Sequence, residues 1–276
     1  MKNILIPTDF SENSLNAMRY AIGFFNQEAC NFYVLHALPV MHNSVSQHNY
    51  SDTFTLIPDY RISQELDLLI KQLKECTTNA QHRFFPIQKE QLLVEAIRNQ
   101  VAEKAIDYIV MGTKGISGLQ EVAVGSNTGE VITKVKCPVL MIPEKAKFTQ
   151  VKEITIPTDY YMIYNSKVLN TLTEILSLHK AKLRILNVQK REIPLSTVQQ
   201  ENRDYLDAHL DSSPHSFHNM VNPKIEIALQ DFILDYEINL IAMVAKNLNF
   251  FQRLLFEPMV KQISYHTEIP VLILHE

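Results

Sequence analysis

The sequence predicts an α/β protein made of two tandem, doubly wound, five-stranded parallel sheets that pair within one chain. The segment NILIPTDF near the amino terminus recurs as EITIPTDY at residues 153–160, and residues 109–144 align without a gap on residues 241–276 at a constant offset of 132. Within each copy, short strands rich in Val, Ile and Leu alternate with helices, which is typical of a parallel sheet covered on both faces. Right-handed crossovers then restrict the topology to the doubly wound class.

The first copy is predicted to alternate between five strands and four helices. The apolar pattern places them, in chain order, at strand 2–7, helix 12–26, strand 31–38, helix 59–79, strand 83–88, helix 90–103, strand 107–112, helix 126–135 and strand 138–143. The second copy repeats the order, with strands near 153–157, 182–188, 216–221, 238–244 and 270–275, and with Asn222 and Pro223 as the expected start of its third helix. The charged segment EKAKFTQVK (144–152) divides the chain into expected domains 1–147 and 148–276.

Composition excludes several classes of protein. The hydrophobic content of 46%, the charged content of 20% and a mean hydropathy of -0.08 are those of a globular chain, and no apolar run approaches the roughly 20 residues that a bilayer requires. The segment MKNILIPTDF lacks the apolar stretch of a secretory signal, so a cytoplasmic location without membrane contact is the default expectation. A net charge of -4 disfavours nucleic acid as a partner.

The first strand leads into a candidate ligand-binding turn at Pro7, Thr8 and Asp9. In open parallel sheets, ligands bind outside the carboxyl ends of the strands, where the strand order reverses. The Asp9 carboxylate can accept hydrogen bonds there from a ribose hydroxyl or a base.

A glycine-rich segment provides the second candidate loop at the same edge. Five of the six glycines lie between residues 112 and 129, and the loop begins after Met111 and ends where a helix starts. Bare backbone at Gly112, Gly115 and Gly125 would let a polyphosphate approach, and the helix N-terminus would attract its negative charge. The residues expected to donate hydrogen bonds at that helix start are Ser126, Asn127 and Thr128.

The spacing G-x2-G-x9-G-S, with ILIPTDF, the LHA of residues 35–37 and the CPVLMIP of residues 137–143, resembles the universal stress protein family. The ATP-binding subclass of that family carries G-x2-G-x9-G-[ST] after the fourth strand and an aspartate after the first. The matching positions are Asp9, Gly112, Gly115, Gly125 and Ser126. Neither the Walker pattern nor GxGxxG is present there.

The resemblance implies a Rossmann-like sheet of order 3-2-1-4-5, dimerisation through the fifth strand, and ATP with Mg²⁺ as the cofactor. It also implies that backbone near Ala37 contacts adenine and that Met111 helps to line the pocket. Lys114 could reach a phosphate or could equally be a solvated loop lysine.

Three functions remain open from the sequence. The first is a stress-response or signalling module in which bound nucleotide changes a surface that a protein partner recognises, with whole chains forming homodimers. The second is slow ATP hydrolysis or autophosphorylation, with Ser126 or Thr128 as phosphate acceptor. The third is a scaffold whose pocket is vestigial.

The second copy has lost the glycine pattern. At the offset of 132, Gly112, Gly115, Gly125 and Ser126 are replaced by Val244, Asn247, Glu257 and Pro258. A valine side chain and a carboxylate would oppose a phosphate, so this half is expected to bind no ATP and to act as a built-in dimerisation partner. The alternative is that it binds a different small ligand. Asp159 is retained and is expected only to close the turn after its strand.

The remaining candidates are weaker. The polar segment 39–58 is long enough to act as a lid over the site. His36 is interpreted as a core histidine, and His215 and His218 should point to opposite faces of a strand, which disfavours a metal site. The three cysteines are interpreted as reduced, mostly buried thiols.

Overall fold

A computed structural model describes residues 1–38, 59–113, 126–222, 224–245 and 269–276. The first half of the chain alternates strands and helices as expected. Its elements are β1 (Lys2–Pro7), α1 (Glu12–Phe24), β2 (Cys30–Ala37), α2 (Asp59–Cys76), β3 (Arg83–Lys89), α3 (Leu93–Glu103), β4 (Tyr108–Gly112), α4 (Ser126–Lys134) and β5 (Val139–Ile142). No helix within the described ranges combines the length and the apolar composition of a membrane span.

The second half repeats this order. Its elements are β6 (Glu153–Pro157), α5 (Ser166–His179), β7 (Lys182–Gln189), α6 (Thr197–Leu210), β8 (His215–Val221), α7 (Ile225–Asp235), β9 (Leu240–Val244) and β10 (Val271–Leu274). The expected start of α7 at Asn222 is wrong, because the N-cap is Lys224. Asn222 instead closes a turn, since its Oδ1 accepts the Lys224 backbone N–H at 2.9 Å.

All ten strands form one sheet, in the order β3-β2-β1-β4-β5-β10-β9-β6-β7-β8. The neighbours within each half are parallel, and both halves follow the predicted order 3-2-1-4-5. β5 and β10 are antiparallel, which joins the halves edge to edge. The predicted pair of doubly wound sheets is therefore confirmed, as is their pairing within the chain.

The β5–β10 register reveals a pseudo-two-fold axis. Leu140 lies opposite Leu272, its own equivalent at the offset of 132. On either side Val139 pairs with Ile273 and Met141 with Val271, so each pair is repeated with the halves exchanged. The two strands thus form a self-complementary contact of the kind found in symmetric dimers.

Helices cover both faces of the sheet. One core cluster packs the strands against α1, α2, α5 and α6, and the other packs them against α3, α4 and α7. Alternate residues of each strand enter opposite clusters, as Ile4 and Leu5 of β1 do, because successive side chains of a strand point to opposite faces.

The connection between the halves packs along α1. Asn16 Nδ2 donates to the carbonyl oxygen of Ala146 at 2.9 Å, and the Phe148 ring meets Tyr20 edge-on at 5.4 Å between centroids. Phe148 also explains Gly23, because a Cβ there would lie 2.5 Å from the ring. The connection is thus a packed segment rather than a loose linker.

Candidate functional site

The turn after β1 is held by hydrogen bonds to β2. The Thr8 N–H donates to the Leu35 carbonyl at 2.8 Å, and the Thr8 carbonyl accepts from Nδ1 of His36 at 2.8 Å. A carbonyl can only accept, so Nδ1 carries the proton. His36 also packs against Phe10, with ring centroids 4.7 Å apart, which confirms it as a core histidine.

Asp9 lies half-buried at the start of α1. One of its carboxylate oxygens, Oδ1, accepts the Ser11 N–H at 3.1 Å and the Ser11 hydroxyl at 2.5 Å. Ser11 in turn caps α1, because its Oγ accepts the Ser14 N–H at 3.2 Å. These bonds hold the carboxylate in one orientation beside the helix N-terminus.

The end of β4 lies beside this turn. β1 pairs with both β2 and β4, so the strand order reverses at β1 and a crevice opens between the strand ends. Gly112 closes β4, and a Cβ at this position would lie 2.4 Å from Nδ2 of Asn13 on α1. A side chain here would have to displace the Asn13 amide, so packing against α1 already favours glycine at this position.

The start of α4 is bonded to the same strand end. Thr128 is only 4% exposed, and its hydroxyl donates to the Gly112 carbonyl at 2.9 Å. The hydroxyl proton is thus used within the fold, and the role of Thr128 as a ligand donor stays a prediction. Thr128 fixes the helix N-terminus at the crevice.

The other predicted site residues differ in how they are placed. Met111 is buried in β4, Ala37 ends β2 half-buried, and Asn127 is exposed at the start of α4. Ser126 begins α4, and the structure describes its backbone only. Three other predicted site residues, Lys114, Gly115 and Gly125, lie outside the described residues, and so does the candidate lid 39–58.

The second half repeats the first turn with other side chains. Asn187 Nδ2 donates to the Thr158 carbonyl at 2.8 Å and so takes the place of His36, which donates to the Thr8 carbonyl in the first half. Asp159 Oδ1 accepts the Tyr161 N–H at 3.0 Å. The residues at this bend, Phe10 and Tyr160, both have positive φ, at 61° and 58°. Asp159 thus closes the same turn as Asp9 does in the first half, where Oδ1 also accepts the N–H two residues later.

Val244 occupies the position of Gly112. Gly112 pairs with Ile142 and Val244 with Leu274, which are again equivalent at the offset of 132. The valine is buried, so the strand end that is bare in the first half carries a side chain in the second. The residues Asn247, Glu257 and Pro258 lie outside the described residues.

Comparison with known proteins assigns the family. The model of the universal stress protein family matches residues 1–143, just over half of the 276 residues. The chain belongs to this family. Universal stress protein MJ0531 of Methanocaldococcus jannaschii is 29% identical over 149 residues, which cover 53% of this chain and 84% of that protein. MJ0577 of the same organism is 28% identical over 160 residues, covering 52% and 96%.

A solved universal stress protein from Archaeoglobus fulgidus matches the whole fold. The alignment covers 99% of this chain and 98% of that one, with a TM-score of 0.67 and 16% sequence identity. The tandem arrangement of two universal stress folds is thus shared by another protein across its full length.

The histidines of β8 face opposite sides of the sheet, as expected. His215 Nε2 lies 2.7 Å from Oδ1 of Asp207 on α6, whereas the His218 ring meets Phe232 of α7 edge-on, with ring centroids 5.0 Å apart. At His215 burial lowers the pKa, but the hydrogen bonds to Asp207 and the backbone together outweigh it, so the pKa is raised. Burial and Arg184 lower the pKa of His218. Within the described residues no three His, Cys, Asp or Glu side chains cluster to hold a metal.

Proposed function

We propose that the first half, residues 1–147, binds one adenine nucleotide, ATP with Mg²⁺, and that the second half, 148–276, binds none. One observation carries this proposal: the turn that holds Asp9, the end of β4 at Gly112 and the N-terminus of α4 lie together at the point where the strand order reverses. A carboxylate suits a ribose hydroxyl or a base, and a helix N-terminus suits phosphates.

Each site residue has a distinct proposed role. Asp9 orients the ribose or base, while the backbone near Ala37 contacts adenine and Met111 lines the pocket. We assign the phosphates to Gly115, Gly125 and the first turn of α4, with Ser126 and Asn127 as donors and Lys114 as a further candidate. Pro7, Thr8 and Gly112 shape the crevice, and Thr128 holds the helix in place.

Magnesium is proposed to bind through the nucleotide. The described residues include no cluster of three metal-ligating side chains, and Mg²⁺ commonly retains waters while bridging substrate phosphates. The ion would thus arrive with ATP.

We propose a binding module in stress response or signalling, acting in the cytoplasm on a protein partner. The buried Thr128 hydroxyl is a poor phosphate acceptor, because its proton is already donated to Gly112. Steady phosphate release under excess Mg-ATP tests the point. Turnover well below about 1 per second fits a binding protein, whereas faster turnover favours an enzyme.

Calorimetric titration of the full chain with Mg-ATP tests the site directly. We expect one site per chain. Gly125→Glu, which introduces the residue found at Glu257, should weaken binding by a few kcal/mol through repulsion of the phosphates. Glu257→Gln is the matched control and should bind as the parent does. Two equal sites, or a folded Gly125→Glu variant with undiminished affinity, would contradict the proposal.

A further inference from the structure

The two halves leave a cleft beside their shared strands, which we call the junction cleft. It has a volume of about 230 Å³ and lies at the amino ends of β1, β4 and β5, facing α5 of the second half. Its polar side chains are Lys2, Asp107, Lys136, Lys167, Thr171 and Glu174. Both halves contribute to it, and it lies at the opposite end of the first-half strands from the proposed nucleotide site.

The acidic groups of the junction cleft already have partners. Glu174 Oε1 accepts from Lys2 Nζ at 2.8 Å and from the Tyr108 hydroxyl at 3.1 Å. Asp107 Oδ2 accepts the Asn3 backbone N–H at 2.7 Å. Lys2 and Glu174 thus neutralise each other. The partner of Asp107 is an uncharged N–H, so the three lysines of the cleft face two carboxylates, an excess of one positive charge.

The two other lysines of the junction cleft, Lys136 and Lys167, come from opposite halves. Neither Lys136 nor Lys167 forms an ion pair with a described carboxylate. Both act on His275 at the end of β10, where burial and then these two lysines lower the imidazole pKa to about 4. His275 is 8% exposed, and its Nε2 has no hydrogen-bond partner within the described residues. The geometric observation is that Lys136 and Lys167, from opposite halves, line the same cleft.

The pseudo-two-fold axis does not repeat the polar face of the junction cleft in the other half. Aligning the N-caps Ser11 and Asn165 places Lys167, Thr171 and Glu174 at the positions of Asn13, Ala17 and Tyr20. Those three α1 residues are buried, and Phe148 of the connection packs on Tyr20. The corresponding face of α5 lines the cleft instead, with Lys167 exposed.

We propose that the junction cleft binds a phosphate-class dianion between Lys136 and Lys167. An ammonium group binds phosphate as a strong point charge, and a cleft with low-dielectric walls focuses the field of several such charges. The volume of about 230 Å³ holds a phosphate group with a few further atoms, such as a small phosphorylated metabolite. Because the lysines come from different halves, the bound anion contacts both halves and stabilises their association. This proposal does not depend on nucleotide binding by the first half.

Titration of the full chain with inorganic phosphate at constant ionic strength tests the proposal. Imidazole signals in NMR distinguish binding in the junction cleft from binding at the proposed nucleotide site. His275 reports on the cleft, because both lysines act on it, and His36 reports on the turn after β1. We expect saturable shifts of the His275 signals. Shifts of His36 alone, or no saturable shift, would overturn the proposal.

Matched variants assign the response to the lysines. Lys136→Gln and Lys167→Gln should each weaken phosphate binding about tenfold, as expected for loss of a charged hydrogen bond. Lys147→Gln removes an exposed lysine of the connection, outside the cleft, and should bind as the parent does. Equal loss in all three variants would overturn the proposal, because general electrostatics would then suffice. Glycerol 3-phosphate is the second probe: tighter binding than inorganic phosphate identifies a metabolite site, and equal or weaker binding identifies a site for the free ion.

Discussion

Gly112 stands where a side chain would collide with α1. The Asn13 amide nitrogen lies 2.4 Å from the position of a Cβ, so Gly112→Ala must displace Asn13 or the strand end. We expect a loss of about 1–3 kcal/mol in the free energy of unfolding, typical of overpacking. The Asn13→Ala change should relieve that clash, so a urea double-mutant cycle should give a favourable coupling energy. Strictly additive effects would show that the two side chains do not collide.

His179 is expected to make stability depend on pH. It is buried against Phe24 across the junction of the halves, with ring centroids 4.4 Å apart, and burial lowers its pKa from 6.5 to about 4. The folded state therefore binds this proton less tightly than the unfolded chain, and the stabilisation present above pH 6.5 is lost as the pH falls towards 4. The shift corresponds to roughly 3 kcal/mol.

Denaturant titrations at pH 7 and pH 4.5 check this expectation. His179→Phe should reduce the pH-dependent loss, while the exposed His209→Gln should retain it. His275, also buried with a pKa lowered to about 4, accounts for a further loss that His179→Phe leaves in place. An unchanged pH dependence in His179→Phe would refute the assignment.

Single residues of the site were only partly predictable from the sequence. Asp9 and Gly112 stand out through motif spacing, but Asn13 does not, because its contact with Gly112 joins distant parts of the chain. The contact of Thr128 with Gly112 was not predictable either, because spacing locates a hydroxyl without showing which acceptor it finds. The pattern Ser11-x-x-Ser14 was a detectable sign of the cap that orients Asp9.

The helices differ in how their N-termini are capped, and this difference can be tested. Ser196 caps α6 in a capping box with Gln199, whereas Leu92 precedes α3 without any side-chain hydrogen bond. Ser196→Ala should cost about 1 kcal/mol in the free energy of unfolding, and Leu92→Ser, which supplies a missing cap at an exposed position, should add a similar amount. Chemical denaturation of both variants gives the comparison. Equal effects of the same sign would show that these caps do not control the helix ends.

Element boundaries were predictable where burial imposes the pattern. β1 and β6 match their predicted ranges, and β5 and β10 are shorter than predicted by one residue at each end. The start of α7 was wrong because Asn followed by Pro suits both a cap and a turn, and the sequence alone does not say which backbone N–H the Asn side chain binds.

At the scale of the whole molecule, the repeat predicted the pseudo-dimer but not the course of the connection. The offset of 132 already relates Leu140 to Leu272, and edge strands of identical pattern can pair symmetrically. The contacts of Phe148 with Gly23 and Tyr20 depend on how the chain crosses α1, which no local periodicity encodes.

Separating the halves tests the symmetric interface. All four residues of β5 are fully buried in the intact chain, and its register with β10 is self-complementary about Leu140. A fragment of residues 1–147 would expose this apolar edge, so it should dimerise or aggregate through β5 because an unpaired edge strand is a ready template for another chain. Adding residues 148–276 should convert it to a one-to-one complex, measured by analytical ultracentrifugation. If the fragment stayed monomeric and soluble with full ATP affinity, β5–β10 pairing would be a consequence of covalent linkage rather than of strand complementarity.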